Sequence, residues 1–137
     1  MKIVIDTNVI ASAIFFGGKP KEILEKVVTG DLQSFATKEI IAEYVETIDY
    51  LHNKYANKAM NPALSVLLKK IKLIECRSSI DICRDPDDNK FIECALDAKC
   101  FYIVSGDKDL LSIKKFKKIQ IVTVSEFLTI CEKHIID

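Results

Sequence analysis

The chain has 137 residues, the length of a single domain, and we treat residues 1–137 as one unit. Apolar residues make up 49% and charged residues 29%, with only 4 Gly and 3 Pro, so the composition excludes a mainly disordered chain. The formal net charge is zero, which excludes a bulk electrostatic attraction to nucleic acid. Any such binding must rely on local patches.

Neither export nor membrane insertion is predicted. Asp6 interrupts the first apolar run, whereas a secretory signal needs an apolar segment of about 7–15 residues and a membrane span about 18 or more. We therefore expect an intracellular, cytoplasmic protein without membrane contact. The five cysteines are odd in number and form no Cys-x-x-Cys motif, which predicts reduced, mostly buried thiols rather than a zinc site.

Strand and helix patterns alternate through the first half of the chain. A short β-branched run predicts a buried strand that ends at Asp6, and Thr37 is a good N-cap for a longer helix. The polar stretch Asn53–Asn61 favours no element. The predicted elements are a strand at Lys2–Ile5, helices at Val9–Phe16 and from Pro20 to Gly30, a strand at Gln33–Ala36, and a helix from Thr37 to about Leu51.

The second half continues the alternation. Asp85 suits an N-cap and Pro86 the first helical position, so a helix is predicted to begin there. The predicted elements are a helix from Pro62 to Ile71, a strand at Lys72–Glu75, a helix from Pro86 to about Lys99, strands at Phe101–Val104 and Ile119–Thr123, and a final helix capped by Ser125 that runs to about Ile135. This alternation predicts an α/β fold with a mainly parallel sheet.

Two acidic residues follow apolar strands of the predicted sheet. Asp6 directly follows Lys2–Ile5, and Asp107 comes shortly after Phe101–Val104. Because sites in open α/β sheets form at the carboxyl ends of strands, acids on adjacent parallel strands would face each other and repel without a cation. Both also have structural interpretations: Asp6 as an Asx turn or helix cap, and Asp107 as the cap of a short helix at Asp109–Ser112.

Asp88 carries the sharpest signal. On its predicted helix the apolar residues lie 3, 4, 7 and 8 positions later, so Asp88 falls on the centre of the buried stripe. An inward-facing carboxylate must be paired, bound to a metal or placed in a cleft. Asp87 points about 100° away, and the helix dipole explains it. Stabilisation of the first helical turn is the structural alternative for Asp88.

Glu43 is more ambiguous. It lies beside the apolar stripe of its helix rather than on it, so periodicity alone favours a solvated border residue. The stripe consists of Ile40, Ile41, Tyr44, Ile48 and Leu51.

A basic cluster with one aromatic residue, Lys114-Lys115-Phe116-Lys117-Lys118, precedes the last predicted strand. Such a run is usually a solvated face, and contact with a nucleic-acid backbone is the alternative. The chain contains no GxxxxGK[ST], GxGxxG or GxSxG motif, so phosphate-loop, dinucleotide and nucleophile-elbow interpretations have no support.

Four motifs, in this order, resemble the PIN-domain nucleases: VIDTNV at the start, KEIIAEY around Glu43, DPDDNKFIECAL around Asp88 and YIVSGDKDLL around Asp107. The resemblance runs from Lys2 to about Phe127. It is closest to the prokaryotic PIN proteins that are toxin components of toxin–antitoxin pairs. It implies a three-layer α/β sandwich, with a mainly parallel sheet flanked by helices, and metal-dependent cleavage of RNA.

The resemblance also implies a site. The acidic quartet of the family, which binds metal and carries the catalysis, corresponds to Asp6, Glu43, Asp88 and Asp107. The auxiliary polar positions correspond to Asn8 and Ser105. The DPDD motif and the residues after Asp107 offer further candidate acids, namely Asp85, Asp87 and Asp109. The implied partners are an RNA substrate and a cognate antitoxin, and a homodimer is a candidate assembly.

Carboxylates without neighbouring His or Cys suit the hard cations Mg²⁺ or Mn²⁺ better than zinc. We expect Asp6, Asp88 and Asp107 as the main ligands, and Glu43 either as a ligand or as the residue that positions a water. Asn8 and Ser105 are expected to hydrogen-bond the carboxylates. Lysines near the site, with Lys114, Lys115, Lys117 and Lys118 as candidates, would hold the phosphate backbone.

Three alternatives stay open on sequence grounds. A flap-type DNA nuclease would need extra DNA-binding elements, for which 137 residues leave little room. A receiver domain of a signalling system also clusters acids around Mg²⁺, but it needs an Asp at the end of a central strand, where Gln33–Ala36 is followed by Thr37-Lys38. The third alternative is a degenerate module that binds RNA or protein. Metal-dependent cleavage of RNA but not DNA separates these interpretations.

Overall fold

The computed structural model describes residues 1–55 and 63–136 and contains a six-stranded sheet in the order β3-β2-β1-β4-β6-β5. All neighbouring strands are parallel except the β5–β6 pair. The strands are β1 (Lys2–Ile5), β2 (Gln33–Ala36), β3 (Lys72–Leu73), β4 (Tyr102–Val104), β5 (Lys115–Phe116) and β6 (Ile119–Val122). This topology confirms the predicted α/β class with a mainly parallel sheet.

Helices cover the sheet and complete the sandwich. They are α1 (Thr7–Phe15), α2 (Gly18–Thr29), α3 (Lys38–Lys54), α4 (Ala63–Lys70), α5 (Asn89–Asp97), α6 (Lys108–Ile113) and α7 (Val124–Ile136). Ile3, Val4 and Ile5 of the central strand β1 are all fully buried. Since successive strand side chains point to opposite faces, both faces of β1 are covered, as in a three-layer arrangement.

The largest departure from the predicted elements concerns the DPDD motif. Asp85 caps it as expected, since its carboxylate accepts a hydrogen bond from the Asp87 backbone N–H at 3.0 Å. The residues Pro86–Asp88 form a 3-10 turn, and the α-helix begins only at Asn89. The single helix predicted from Pro86 to about Lys99 is therefore wrong at its start, whereas α5 ends at Asp97, two residues before the predicted end.

The cap of the last helix differs from the predicted one, whereas that of α3 agrees with it. Ser125 is not the cap of the last helix: Thr123 is, because its hydroxyl accepts from the Glu126 N–H at 3.1 Å while the Glu126 carboxylate accepts from the Thr123 N–H at 3.2 Å. Thr37 caps α3 as predicted, accepting from Ile40. The predicted helix start at Pro62 and most of the polar stretch Asn53–Asn61 lie outside the described residues.

The lysine run folds as a hairpin rather than an extended loop. Lys115–Phe116 forms β5 and pairs antiparallel with the start of β6, which leaves Lys117 and Lys118 in the turn. Lys114 and Lys117 both adopt positive φ angles, 65° and 53°, as tight connections require. The predicted strand at the end of this run is confirmed as β6, and the extra edge strand β5 was not predicted.

One polar face of α5 binds the segment of residues 77–83, which lies outside the sheet. Asn89, Glu93 and Asp97 are spaced by four residues and so share this face. Each accepts backbone N–H groups of the segment: Asn89 from Ile82 and Cys83, Glu93 from Ile80, and Asp97 from Arg77 and Ser78. Side chains of α5 thus replace the backbone pairing that a strand would supply.

The remaining features concern the thiols and the surface. Four of the five cysteines are buried, Cys76 is half-buried, and none forms a disulfide. Burial raises the pKa of every one of these thiols, so they stay protonated at neutral pH. None of the helices in residues 1–55 and 63–136 combines the length and apolar character needed to cross a bilayer.

Candidate active site

The carboxyl ends of β1 and β4 are fixed to each other, and this places Asp6 next to Ser105. The Asp6 N–H donates to the Val104 carbonyl at 2.9 Å, which continues the parallel pairing by one residue. The fully buried Ser105 hydroxyl donates to Asp6 Oδ2 at 2.7 Å and accepts from the Asp107 N–H at 3.0 Å. Ser105 therefore fixes one carboxylate and orients the turn that carries another.

Asp6 is buried, with only 5% of its surface exposed. This burial raises the pKa of Asp6, the negative charges of Asp107 and Glu43 raise it further, and the hydrogen bond from Ser105 opposes them. Beneath it, the fully buried Tyr44 of α3 donates its hydroxyl to the Ile5 carbonyl at the end of β1. Desolvation raises the pKa of Tyr44, so its phenol stays neutral and serves as a donor.

Asp88 and Asp107 lie side by side, although 19 positions of sequence separate them. Asp88 ends the 3-10 turn and is half-buried, and Asp107 is the N-cap of α6, where its Oδ1 accepts from the Asp109 N–H at 3.3 Å. Desolvation, together with the Asp107 carboxyl beside it, raises the pKa of Asp88 from 3.8 to about 7. Asp85 and Asp6 add smaller contributions in the same direction.

Glu43 lies close enough to Asp6 to raise its pKa, and it is itself paired with a lysine. Lys90 of α5 lies 2.7 Å from Glu43 Oε1, and the buried Thr7 hydroxyl donates to the other oxygen, Oε2. The Lys90 side chain is only 11% exposed and also contacts the Asp87 carboxylate at 2.9 Å. Periodicity alone favoured a solvated Glu43, and the structure instead gives it an ion pair that joins α3 to α5.

The additional acids have separate positions. Asp85 is exposed and serves as a cap, Asp87 is exposed and pairs with Lys90, and Asp109 lies in the first turn of α6. Lys90 lowers the pKa of Asp87, whereas the pKa of its neighbour Asp88 is raised. The two adjacent aspartates of the DPDD motif therefore face different environments.

Asn8 does not reach the carboxylates. Thr7 and Asn8 are the first two residues of α1. The side chain of Thr7 is buried, and that of Asn8 points outward and is exposed. The Asn8 side chain makes no hydrogen bond with any residue in the described part of the chain. Thr7 fills the role expected of Asn8, and sequence reasoning missed it together with Lys90. The spacing of Asp87 and Lys90, which allows an i,i+3 ion pair, was the available signal for Lys90.

The basic hairpin lies away from the acids. Lys117 and Lys118 directly precede β6. The start of β6 lies beside the start of β4, since the two strands are parallel and the Gln120 N–H donates to the Phe101 carbonyl. Asp6 and Asp107 lie beyond the opposite ends of their strands. The length of β6 alone separates the hairpin turn from that edge by about 10 Å. A lysine was expected close to the acids. Lys90 lies there, and the Lys114–Lys118 run does not.

The chemistry of the cluster fits a hard divalent cation. Asp6, Asp88 and Asp107 supply only oxygen donors, burial and neighbouring carboxylates raise the pKa values of Asp6 and Asp88, and no Lys or Arg of the described ranges pairs with any of the three. In residues 1–55 and 63–136, no three carboxyl, imidazole or thiol groups already converge on one point.

A comparison with known families decides how this edge of the sheet is interpreted. The sequence profile of the PIN domain matches residues 2–109, which include all four acids of the quartet. The chain belongs to the PIN-domain family. PIN domains are in general nucleases that use divalent metal ions, so membership supports hydrolysis of nucleic acid. It also favours the PIN interpretation over the receiver domain.

One curated relative spans nearly the whole chain. The uncharacterized protein MJ1680 of Methanocaldococcus jannaschii is 32% identical over 150 residues, an alignment that covers 98% of this chain and 94% of that protein. Among solved structures, the chain is similar to one in the crystal structure of VapBC2 from Rickettsia felis bound to a DNA fragment from their promoter. The TM-score is 0.59 at 15% identity, over 90% of this chain and 98% of the other. At that identity the match shows a shared PIN fold.

Proposed function

We propose that this PIN-domain protein is a metal-dependent endoribonuclease, with Asp6, Asp88 and Asp107 as the ligands of Mg²⁺ or Mn²⁺. The observation that carries the proposal is the group of three carboxylates at one edge of the sheet, two of them with raised pKa values and none of them paired with a Lys or Arg of residues 1–55 or 63–136. Such a group is destabilising unless a cation joins it. A divalent ion bound there would activate a water and stabilise the charge on the leaving oxygen during phosphodiester hydrolysis.

The residues around the ligands prepare the site. Ser105 holds Asp6 through its Oδ2 atom, and the same hydroxyl fixes the backbone before Asp107. Glu43, held by Thr7 and Lys90, retains a lone pair on each oxygen and is placed to orient a water. The half-buried position of Asp88 limits competition from bulk water.

The proposed biological role is that of the toxin in a toxin–antitoxin pair, with a cognate antitoxin as partner, in the cytoplasm. The structural similarity to VapBC2 and the motif resemblance support it. A short open reading frame beside this gene, whose product co-purifies with the protein and inhibits it, is the expected result. A gene without such a neighbour and a protein that purifies alone and is fully active would contradict the pairing.

The lysine hairpin is proposed as an accessory contact for the RNA backbone, remote from the cleaved bond. Lys114, Lys115, Lys117 and Lys118 supply four positive charges at one edge of the sheet. Contacts to phosphates give affinity without choice of sequence.

Cleavage assays test the central proposal. Matched RNA and DNA oligonucleotides are incubated with the protein in Mg²⁺, in Mn²⁺, or in EDTA at equal ionic strength. We expect cleavage of RNA only, and only with a divalent ion, because the carboxylates alone cannot activate water. Cleavage that continues in EDTA, or that is insensitive to Asp88→Asn, would contradict the proposal. Cleavage of DNA instead of RNA would support the flap-type alternative.

A further inference from the structure

Lys90 is the cation that the chain itself places in the acid cluster. Its ammonium bridges Glu43 and Asp87 at 2.7 and 2.9 Å, and its side chain is 11% exposed. In the described ranges no other Lys or Arg forms an ion pair with an acid of the quartet.

Both oxygens of Glu43 are engaged by the chain. Lys90 pairs with Oε1, and the Thr7 hydroxyl donates to Oε2. Moving Glu43 toward a metal ion would break a largely buried ion pair and would leave Lys90 with only the exposed Asp87. Removing one partner of a buried pair is costly because the remaining charge is left uncompensated. Asp6, Asp88 and Asp107 carry no such cost in the described part of the chain, since none of them forms an ion pair there.

We propose that Lys90 is a positioning residue that holds Glu43 outside the ligand set, so that the cluster binds a single divalent ion through Asp6, Asp88 and Asp107. The inference rests on the proposed function, because it concerns the same ion. Lys90 supplies a positive charge between α3 and α5, directly beside Glu43. Glu43 then acts on water or substrate from the edge of the site rather than by coordinating the ion.

The inference has two separate consequences for metal binding. If Glu43 is not a ligand, then Glu43→Gln leaves the Mn²⁺ affinity nearly unchanged, whereas Asp88→Asn lowers it strongly. If Lys90 is what restrains Glu43, then Lys90→Met releases a carboxylate into the site and strengthens Mn²⁺ binding or adds a second ion. The double variant Lys90→Met/Glu43→Gln removes the released carboxylate and returns binding to that of the native protein.

Titration of the full-length protein with MnCl₂, followed by electron paramagnetic resonance of free Mn²⁺, measures stoichiometry and affinity without any need for activity. We expect one ion per chain for the native protein and for Lys90→Arg, which keeps the charge. Glu43→Gln should stay within about threefold in affinity, and Asp88→Asn should lose at least about tenfold. Lys90→Met should bind a second ion or bind the first about tenfold more tightly.

Lys38→Met is the matched control. Lys38 is on α3, lines the same cleft of about 490 Å³ as Lys90, is exposed, and pairs with no carboxylate in the described residues. The Lys38→Met substitution removes the same charge as Lys90→Met and should leave Mn²⁺ binding unchanged. An equal gain in Lys38→Met and Lys90→Met would show a general charge effect and would overturn the positioning role.

The outcomes separate this inference from the proposed function. A native protein that binds one Mn²⁺ but loses tenfold or more in affinity on Glu43→Gln overturns the inference alone, because Glu43 is then a ligand. A native protein that binds no Mn²⁺ overturns both. Since Gln keeps the shape of Glu and can still accept from Thr7, Glu43→Gln decides whether Glu43 is a ligand even where Lys90→Met fails to fold.

Discussion

Helix α5 has carboxylates near both ends, and their surroundings are opposite. At its C-terminal end, Asp97 accepts hydrogen bonds from the Arg77 and Ser78 N–H groups, the Ser78 hydroxyl and the Cys76 thiol. Just before its N-terminal end, Asp88 meets another carboxyl group, that of Asp107. Desolvation acts on both, but the donors hold the pKa of Asp97 well below its usual range, whereas the pKa of Asp88 rises to about 7.

The difference separates a structural carboxylate from a functional one. The chain supplies every partner that Asp97 needs, so its charge stabilises the fold and requires nothing from outside. Among the described residues no Lys or Arg pairs with Asp88, so its charge gains no such partner from that part of the chain. Glu43 resembles Asp97 in that the chain supplies partners for its carboxylate, namely Lys90 and Thr7.

The largest expected effect is on catalysis. Asp88→Asn and Asp6→Asn should each lower RNA cleavage by about 100-fold or more, because the amide keeps the shape but loses the charge that holds the ion. Without metal, both variants should be as stable as the native protein or slightly more stable, since a repulsive charge is removed. Initial cleavage rates and melting temperatures measure the two effects.

Two controls test the assignment within α5 and its preceding turn. Asp87→Asn should remain active because the Asp87 side chain is exposed and faces Lys90 rather than Asp107. Asp97→Asn should remain active while it is folded. An inactive Asp87→Asn with an active Asp88→Asn would show that the wrong carboxylate of the DPDD motif has been chosen.

The next effect is on stability at the other end of the helix. Asp97→Asn should destabilise the protein by about 1–2 kcal/mol in urea unfolding, because an amide is a weaker acceptor for four donors and the site is partly solvent-screened. Asp88→Asn should show no such loss. Equal destabilisation by the two variants would remove the distinction between the two carboxylates.

The pH dependence of the two carboxylates should have opposite signs. Since the folded pKa of Asp88 is above its ordinary value of 3.8, the folded state binds more protons than the unfolded state between about pH 4 and 7, and this contribution to stability falls as the pH rises. The pKa of Asp97 is lowered, so its contribution is present above pH 3.8 and is lost as the pH falls below that value.

Urea unfolding in EDTA at several pH values measures these contributions as differences between native and variant. The Asp88→Asn variant should gain stability over the native protein as the pH rises from 4 to 7. The deficit of Asp97→Asn should shrink as the pH falls below about 4. A pH-independent difference for Asp88→Asn would contradict the account of its environment.

The sequence predicted most of the sheet, because short apolar runs bounded by turn residues mark buried parallel strands. It did not predict β5, since two residues of a lysine-rich run carry no strand pattern. Asp88 was selected by α-helical spacing although it ends a 3-10 turn, which changes the rotation between Asp88 and the residues of α5. Lys90 and Thr7 were missed because their contacts with Glu43 span 47 and 36 positions, which no local pattern encodes.

The smallest expected effect concerns the hairpin. Replacing Lys114, Lys115, Lys117 and Lys118 with Gln should weaken RNA binding and reduce the log–log salt slope by about 0.7 for each phosphate contact that is lost. Turnover of bound RNA should not change, since the acids lie at the other end of the sheet. Binding of labelled RNA by the Asp88→Asn protein over a salt series measures the slope, and an unchanged slope would identify the run as a solvated face.

The comparison of the two carboxylates is tested most directly by melting temperatures in millimolar Mg²⁺ and in NaCl of equal ionic strength. An ion that binds only the folded state adds about 1.4 kcal/mol of stability for each tenfold excess over its Kd. We predict that the native protein and Asp97→Asn melt at a higher temperature in Mg²⁺ than in NaCl. The melting temperature of Asp88→Asn should be the same in both salts. The same temperature in both salts for the native protein, or an equal rise in Asp88→Asn, would contradict a divalent-ion site at this edge of the sheet.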